Sequence, residues 1–307
     1  MDGIMKKVLI TGAAGFIGKK LSRHFIEKGY DVIGWDCRIS EEVNSVRYVD
    51  MVAESEVTSQ LEQDKPDLII HCAGSADVGK SVQNPSADFV GNVLLTHNLL
   101  FAMHKLKMKN VRFVFLSSAG VYGNPSSLPI TEDAPLNPMS PYAVHKVMCE
   151  DLCRYFVRNY GMDIKVARIF SAYGAGLRKQ IFWDMYNKAQ RTGRLDMFGT
   201  GNESRDYIHI DDVIQSIYLI ATEDTDEMIF NVANGEEITI RQATELFASC
   251  MGMKADDIGF NGTVREGDPL NWRADISKIQ KLGYQKTVQM QQGISDYCSW
   301  ATEQTEE

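Results

Sequence analysis

The 307-residue sequence lacks the cysteine spacing of a metal site or a redox-active dithiol. Its six cysteines are scattered along the chain, and no Cys-x-x-Cys pair occurs among them. Cys149 and Cys153 fall on one predicted helical face, where a disulfide would require strained geometry. Because no cysteine–histidine cluster has ligand spacing, we expect no zinc, and reduced thiols in a cytoplasmic protein are the simplest interpretation.

Long apolar runs and an excess of positive charge are also missing. The first hydrophobic run, Val8 to Thr11, is far shorter than a signal-peptide core or a membrane helix, so we predict no membrane association. The formal net charge of -9 argues against a nucleic-acid partner that binds through a basic surface. A local basic pocket for a phosphate ligand is still compatible with that charge.

Short β-branched runs alternate with helical stretches through the first half of the chain. The predicted strands are Lys7 to Thr11, Asp31 to Asp36, Val46 to Asp50, Asp67 to Cys72, Val111 to Ser117 and Asp163 to Ile169. The predicted helices are Gly15 to Lys28, Ser55 to Gln63, Ala87 to Lys107 and Pro141 to Tyr160. Apolar strands between amphipathic helices indicate an α/β fold with a parallel sheet covered on both faces, the doubly wound Rossmann arrangement.

A glycine-punctuated turn lies between the first strand and the first helix. It contains Gly12, Gly15 and Gly18, with Phe16 and Ile17 between the last two. Glycine allows the backbone to approach a pyrophosphate and the helix to pack close to the strand. Since the helix N-terminus also offers unpaired N–H groups to an anion, the turn predicts a dinucleotide-binding site.

Two acidic residues stand at the ends of neighbouring predicted strands. Asp36 ends the second strand about 20 residues after the glycine turn, where a carboxylate can accept hydrogen bonds from an adenosine ribose. A carboxylate there repels a 2′-phosphate and favours NAD, although the neighbouring Arg38 leaves NADP open. Asp50, expected at the end of the third strand, is a candidate for contact with the adenine amino group.

The regular alternation changes after about Gly174. Later segments are shorter and less regular, and no low-complexity linker separates them from the first part. We therefore predict a dinucleotide-binding Rossmann domain over residues 1–174, to which later segments return. Residues 175–307 are expected to form mainly a smaller C-terminal substrate-binding cap.

Tyr142 and Lys146 are separated by four residues in a predicted helix, so one helical face carries both. A nearby ammonium favours the phenolate form of a tyrosine. Such a tyrosine can take a proton from a sugar hydroxyl or return it. The spacing alone is weak, because many solvated helices contain it, but the glycine turn and Ser118 strengthen the catalytic interpretation.

Six motifs, in this order, resemble the extended short-chain dehydrogenase/reductase family in its nucleotide-sugar epimerase/dehydratase branch. The resemblance covers nearly the whole chain. The motifs are Gly12-x-x-Gly15-Phe16-Ile17-Gly18, His71-Cys72-Ala73-Gly74, Ser117-Ser118-Ala119-Gly120-Val121-Tyr122-Gly123, Tyr142-x-x-x-Lys146, Arg205-Asp206-Tyr207-Ile208-His209-Ile210-Asp211-Asp212 and Arg265-Glu266-Gly267-Asp268.

The resemblance implies a role for each catalytic residue. Ser118 matches the serine that hydrogen-bonds the reacting sugar oxygen, and Tyr142 matches the acid/base. Lys146 matches the lysine that holds the nicotinamide ribose. Ala73 and Gly74 match the turn beside the cofactor diphosphate.

The resemblance also implies further contacts with cofactor and substrate. Asn92 matches an asparagine at the start of the long helix behind the site. Arg205 and Arg265 match arginines that hold the substrate's nucleotide diphosphate, since a guanidinium fork suits phosphate oxygens. Ser171 replaces an asparagine found in many relatives, and Arg178 or Lys179 is expected to supply charge to the phosphates instead.

The expected activity is that of an NAD-dependent nucleotide-sugar 4-epimerase, which removes a hydride transiently from C4 of a hexose, expected to be UDP-linked. The alternative is an NAD(P)H-dependent reductase of nucleotide 4-keto-6-deoxysugars that uses the same three catalytic residues. A third possibility is a noncatalytic nucleotide-binding relative. The Ser118-Ala119-Gly120 triplet lacks the acidic pair of 4,6-dehydratases, which disfavours that reaction.

Other expectations concern assembly and two histidines. The resemblance implies a homodimer in which Ala87 to Lys107 and Pro141 to Tyr160 pair across a four-helix bundle. His71 is expected in a loop close to the cofactor. His145 is expected to be exposed or at an interface.

Overall fold

The computed structural model describes residues 6–38, 46–263 and 269–304, which form two compact units. The first unit comprises the described residues within Met1–Val121, Pro138–Arg168 and Ser216–Phe230. The second comprises those within Tyr122–Asn137, Ile169–Gln215 and Asn231–Glu307.

The strands and helices are numbered in chain order. The strands are β1 (Lys7–Thr11), β2 (Asp31–Asp36), β3 (Val46–Tyr48), β4 (Leu68–His71), β5 (Arg112–Ser118), β6 (Ile164–Ile169), β7 (Ser171–Tyr173), β8 (Leu195–Met197), β9 (Ser204–Arg205), β10 (Tyr207–His209), β11 (Ile229–Val232), β12 (Ile238–Thr239) and β13 (Ile258–Phe260). The helices are α1 (Phe16–Glu27), α2 (Glu54–Asp64), α3 (Val78–Gln83), α4 (Pro85–Phe89), α5 (Leu95–Lys105), α6 (Pro141–Tyr160), α7 (Gln180–Thr192), α8 (Ile210–Thr222), α9 (Ile240–Cys250), α10 (Ser277–Lys281) and α11 (Met290–Glu303).

A seven-stranded sheet forms the centre of the first unit, in the order β11-β6-β5-β4-β1-β2-β3. The pairs formed by β1 with β2, β1 with β4, β2 with β3 and β4 with β5 are all parallel. The four residues of β4 and the six of β6 are all buried, as expected of strands covered on both faces. The predicted parallel, doubly wound sheet is therefore confirmed.

The strand order changes direction at β1, since β2 lies on one side and β4 on the other. In open parallel sheets, the carboxyl ends of the strands at such a switch point form the usual ligand crevice. Thr11 ends β1 and Asp36 ends β2, while His71 ends β4. These three strand ends therefore place the glycine turn and its neighbours at one edge of the sheet.

Two predicted elements differ from the structure. The third strand ends at Tyr48 rather than Asp50, because Asp50 Oδ1 accepts the Val52 N–H at 3.0 Å in a turn before α2. The predicted helix Ala87 to Lys107 is divided into α4, a π-helical turn over Val90–Leu94, and α5. Such π-helical turns within helices frequently occur at functional sites.

The helix α6 begins and ends at the predicted residues, and the N–H groups of its first turn are hydrogen-bonded. Ser140 caps it by accepting the Ala143 N–H at 3.2 Å, and Pro141 has no N–H to satisfy. The Tyr142 N–H donates to Ser81 Oγ of α3 at 3.1 Å. Gly161, with a left-handed φ of 63°, ends the helix.

A buried ion pair fixes α6 against the sheet. Arg168 of β6 donates to both carboxylate oxygens of Glu150, at 2.9 and 2.7 Å. Ser117 of β5 donates to the same carboxylate at 2.7 Å, and Glu150 is fully buried. Because Glu150 lies one turn after Lys146, this contact sets the register of the helix relative to β5 and β6.

The second unit is built from short strand pairs and four helices, of which α7, α9 and α11 surround an aromatic core. The parallel pairs are β10 with β7 and β13 with β8, and β12 pairs antiparallel with β9. Asp206 joins separate segments by accepting N–H groups from Asn234, Gly235 and Ala274 at 2.9, 2.9 and 3.0 Å. The irregularity predicted after Gly174 is confirmed.

Across the residues that the structure describes, no helix has both the length and the apolar composition needed to cross a membrane. The same residues contain no group of three His, Cys, Asp or Glu side chains placed to hold a metal ion.

We predict that Glu150→Gln lowers the free energy of unfolding by about 3–5 kcal/mol, because it leaves the Arg168 guanidinium buried without its counter-charge. Urea denaturation followed by circular dichroism measures the loss. Asp151→Asn is the matched control, since Asp151 is the next residue on α6 and its side chain is 68% exposed. The control is expected to change stability little, and equal losses in both variants would contradict the register role of Glu150.

Candidate active site

The glycine turn packs so tightly that side chains are excluded from it. A Cβ on Gly12, whose φ is +69°, would lie 2.7 Å from the Ala73 main-chain nitrogen. A Cβ on Gly18 would lie 2.1 Å from the Gly12 carbonyl oxygen. Gly15 precedes α1 and provides no side-chain cap, so the first N–H groups of Phe16 and Ile17 are open to an anion. The turn therefore fits a dinucleotide diphosphate.

Asp36 is buried at the end of β2 and contacts the glycine turn directly. Its Oδ2 accepts the Ala14 N–H at 2.9 Å, and its Oδ1 accepts the Arg38 N–H at 3.0 Å. Arg38 Nε lies 3.6 Å from Oδ1, but that side chain is 70% exposed. Each carboxylate oxygen retains a lone pair for a further donor, which fits a ribose hydroxyl.

Asp50, the second acidic residue predicted to contact the cofactor, lies two residues after the end of β3. Its N–H donates to Glu56 Oε1 at 3.1 Å, and its side chain caps the turn before α2. These contacts explain the residue as a turn former, and a role toward adenine stays a prediction.

Ala73 and Gly74 follow β4 and lie against the π-helical turn. A Cβ on Gly74 would lie 2.7 Å from Asn92 Oδ1. Asn92 is buried and donates from Nδ2 to the Asp88 carbonyl at 3.1 Å, while Oδ1 is buried without a partner among the described residues. An unpaired buried acceptor is costly, so this oxygen fits a donor from a ligand or water.

The structure brings the three predicted catalytic residues together within the first unit. Lys146 is buried, and its Nζ donates to the Leu116 carbonyl of β5 at 3.0 Å. The same nitrogen lies 5.8 Å from the centre of the Tyr142 ring. Ser118 ends β5, and its Oγ accepts the Gly120 N–H at 3.1 Å.

Gly120 lies between Ser118 and the first turn of α6. A Cβ at this position would lie 3.4 Å from Ser118 Oγ and 3.6 Å from the Ala143 Cβ. These distances place the Ser118 hydroxyl near the helix turn that carries Tyr142, with Gly120 between them. A phenol, a hydroxyl and a buried ammonium in this arrangement are suited to proton transfer with a substrate alcohol.

The expectation of an exposed His145 was wrong, and His71 lies within the predicted fourth strand rather than in the loop after it. His71 is the last residue of β4 and is buried, rather than part of the following loop. Burial, with the charge of Lys146 as a second cause, lowers the pKa of His71 from 6.5 to about 3. His145 is also buried, because its Nδ1 pairs with Asp88 Oδ2 at 2.6 Å and its ring packs against Phe89.

The candidate substrate residues lie in the second unit. Ser171 begins β7, where its N–H donates to the Asp206 carbonyl at 3.1 Å. Lys179 precedes α7 and lines a small pocket with Tyr207 and Tyr297. Arg205 donates to the Ser204 carbonyl at 2.8 Å and lies over Trp272, with 5.7 Å to the ring centre. Arg265 falls outside the described residues.

Sequence reasoning missed several residues that hold these groups in place. Ser81 binds the Tyr142 N–H, and Glu150 fixes the helix against the sheet. The position of Glu150, four residues after Lys146 on the same helical face, was a usable signal. No comparable local signal marks Ser81, because its contact with Tyr142 spans 61 residues.

Comparisons with known proteins agree with the family and the fold predicted from the sequence. The NAD dependent epimerase/dehydratase family matches residues 8–233. The UDP-glucose 4-epimerase of Mycolicibacterium smegmatis is 31% identical, over 94% of this chain and 96% of that protein. The dTDP-4-dehydro-6-deoxyglucose reductase of Escherichia coli is 29% identical, over 96% and 97%. The crystal structure of Thermotoga maritima UDP-glucose 4-epimerase with UDP-glucose has a TM-score of 0.88 and 27% identity, and covers 98% of this chain and 100% of that one.

We predict that His71 makes the free energy of unfolding fall as the pH is lowered below 6.5. In the unfolded chain His71 binds a proton at its ordinary pKa of 6.5, whereas in the folded protein its pKa is about 3. The unfolded state therefore holds more protons between these values, and stability is fully present only above pH 6.5. The contribution of this one group is about 1.4 kcal/mol per pH unit.

The measurement is urea denaturation at pH 7.5, 6.0 and 5.0 for the natural protein and for His71→Phe. Phenylalanine keeps an aromatic ring at the position but does not titrate. Subtracting the two pH profiles cancels the other titrating groups and isolates His71. Parallel profiles would contradict a buried, neutral His71.

Proposed function

The chain belongs to the NAD-dependent epimerase/dehydratase family, and we propose that it is a nucleotide-sugar 4-epimerase that acts on a UDP-linked hexose. It is an enzyme whose cofactor is NAD. The observation that carries the proposal is the cluster of Ser118, Tyr142 and buried Lys146 in the same unit as the glycine turn. We assign NAD binding to the first unit and substrate binding mainly to the second.

We assign the cofactor to the residues whose geometry fits it. The turn of Gly12, Gly15 and Gly18, with the N–H groups of Phe16 and Ile17, would hold the diphosphate together with Ala73 and Gly74. Asp36 and Asp50 would contact the adenosine half, and Asp36 favours NAD over NADP. Asn92, Tyr142 and Lys146 would contact the nicotinamide half. When bound, NAD accepts a hydride from a carbinol carbon and can return it.

The three catalytic residues together transfer the proton of the C4 hydroxyl of the sugar and hold the groups between which it moves. Tyr142, as phenolate, removes the proton of the C4 hydroxyl while the carbon is oxidised, and returns it after the 4-keto sugar has turned. Ser118 hydrogen-bonds the same sugar oxygen and keeps it near the phenol. Lys146 Nζ donates to the neutral Leu116 carbonyl, which does not cancel the effect of an ammonium charge on the neighbouring phenol.

We assign the substrate diphosphate to Arg205 and Arg265, with Lys179 and Ser171 as further contacts. Arg205 is held by the Ser204 and Leu270 main-chain carbonyls and by the face of Trp272, and these contacts orient its guanidinium. Binding the diphosphate rather than the sugar ring would retain the intermediate while leaving the ring able to turn.

A reductase of nucleotide 4-keto-6-deoxysugars is the second candidate, because the similar Escherichia coli protein is named as one. It would use the same three catalytic residues, with Tyr142 as proton donor. Purified protein is incubated with UDP-glucose, UDP-galactose and their N-acetyl forms, and NMR identifies the products. Interconversion of C4 epimers without net use of added NADH or NADPH supports the epimerase, whereas stoichiometric oxidation of reduced cofactor with a 4-keto sugar and no epimer overturns it.

We predict that Tyr142→Phe lowers kcat for epimerisation about 10²- to 10⁴-fold, since it removes the proton-transfer group and keeps the ring. Tyr155→Phe is the matched control on the same helix, because Tyr155 is exposed, its hydroxyl lies 3.3 Å from that of Tyr160, and the substitution keeps the exposed ring. Steady-state rates measured by coupled product detection check both. Unchanged turnover in Tyr142→Phe would remove the proton-transfer role.

We also propose that α5 and α6 pair with those of a second copy in a four-helix bundle. Exposed apolar side chains on these helices include Phe101, Met148 and Tyr155, and such surface is commonly an interface. Met148→Glu should then shift the protein from dimer to monomer in sedimentation velocity. A natural protein that sediments as a monomer at micromolar concentration would contradict the dimer.

A further inference from the structure

We propose that His71 is a positioning residue for the cofactor site, which, as a neutral ring with its proton on Nε2, ties the glycine turn to the turn that carries Asn92. The inference rests on the assignment of NAD to the first unit made under the proposed function. It gives a role to a histidine that the proton-transfer steps do not use.

The direction of one hydrogen bond follows from a carbonyl group. Thr96 Oγ1 lies 2.8 Å from the Asn92 carbonyl oxygen, which can only accept, so the threonine hydroxyl donates there. The same Oγ1 lies 3.1 Å from His71 Nε2. Because its hydrogen is already used, the threonine oxygen must accept, and His71 Nε2 must carry the proton.

The other ring nitrogen is then fixed as an acceptor. Thr11 Oγ1 lies 2.7 Å from His71 Nδ1 and donates its hydrogen to it. The Ala73 N–H donates to the same threonine oxygen at 3.2 Å. Four hydrogen bonds therefore run in one direction from Ala73 through Thr11, His71 and Thr96 to Asn92, and bonds arranged in this way polarise one another.

The four bonds join residues that are next to the proposed cofactor contacts. Thr11 immediately precedes Gly12, and Ala73 precedes Gly74. At the other end, the main-chain carbonyl of Asn92 accepts the Thr96 hydroxyl, and the side-chain Oδ1 of Asn92 faces Gly74. The His71 ring therefore makes the two bonds that link Thr11, at the end of β1, to Thr96, which binds the π-helical turn. Without the ring, this chain of bonds is broken between them.

The surroundings of the ring hold it in this state. The His71 ring packs between Phe113 and Phe115, with centroid distances of 5.7 and 6.0 Å. Lys146 Nζ lies 4.8 Å from the centre of the same Phe115 ring, so a charged imidazole would be repelled by the nearby ammonium of Lys146. The chain of bonds begins at the Ala73 main-chain N–H and ends at the Asn92 main-chain carbonyl, so it connects His71 to no group that supplies or takes up a proton.

The first test reads the tautomer in the natural protein. Two-dimensional ¹⁵N–¹H NMR of histidine-labelled apo-protein distinguishes a protonated Nε2 from a protonated Nδ1. We expect His71 to show Nε2–H and an unprotonated Nδ1, unchanged between pH 8 and pH 5. A proton on Nδ1, or an imidazolium that appears within this range, would overturn the inference without any substitution.

The second test measures NAD binding by calorimetry on the cofactor-free protein. Thr96→Val removes the hydroxyl and keeps the side-chain shape, and we expect it to weaken NAD binding roughly three- to tenfold. Thr96→Ser restores the hydroxyl and should restore the affinity. In a His71→Phe background, Thr96→Val should have no further effect on NAD affinity, because the connection is already broken.

A matched control separates positioning from general loss of packing. Thr244→Val removes a hydroxyl that is buried to the same extent and also donates to a carbonyl four residues earlier, at 2.7 Å, but in the second unit. We expect this variant to bind NAD as the natural protein does. Equal weakening in Thr96→Val and Thr244→Val, or additive effects with His71→Phe, would overturn the positioning role.

These measurements need no sugar substrate, so their failure is distinct from failure of the proposed function. A protein that has the expected tautomer and coupling but epimerises no nucleotide sugar would leave this inference intact. An active epimerase whose NAD affinity is insensitive to Thr96→Val and Thr96→Ser alike would contradict only the role of His71.

Discussion

The buried contact of Glu150 with Arg168 and Ser117 is the constraint on which the rest of the site depends. Two charges removed from water are stable together only when their hydrogen bonds are well made, and here four bonds of 2.7–2.9 Å, one of them from Arg154, meet one carboxylate. This contact sets how far α6 extends along β5. One turn earlier in the helix, Lys146 then meets the Leu116 carbonyl, and its Nζ lies 5.8 Å from the centre of the Tyr142 ring.

The charge of Lys146 is effective because of what surrounds it. Its ammonium is buried and binds a neutral carbonyl, and it lies over the Phe115 ring, 5.8 Å from the centre of the Tyr142 ring. A carboxylate at the same distance would oppose its effect on the phenol. His71 packs against the same Phe115 ring, and burial lowers its pKa to about 3, so His71 adds no positive charge near Lys146 at neutral pH.

Much of the first unit was predictable, because strands such as β4 and β6 are apolar throughout and glycines mark the turn that needs close packing. The spacing of Tyr142 and Lys146 also placed both on one helical face. The π-helical turn at Asn92 was not predictable, since α4 and α5 continue the same helical periodicity on both sides of it. The contacts of Ser81 with Tyr142 and of Thr11 with His71 join residues about 60 positions apart, and local patterns do not encode such pairs. The burial of His145 could not be predicted for the same reason, because its partner Asp88 lies on another helix, far away in the sequence.

The central claim is that one phenol and one bound cofactor oxidise C4 of a sugar and then reduce it again in the same site. The most direct measurement uses UDP-glucose that carries deuterium at C4, incubated with the purified protein and an excess of unlabelled NADH. The account predicts UDP-galactose that retains the deuterium at C4, as read by NMR and mass spectrometry. An epimer that has exchanged its label with the added NADH, or labelled substrate that is not epimerised at all, would contradict it.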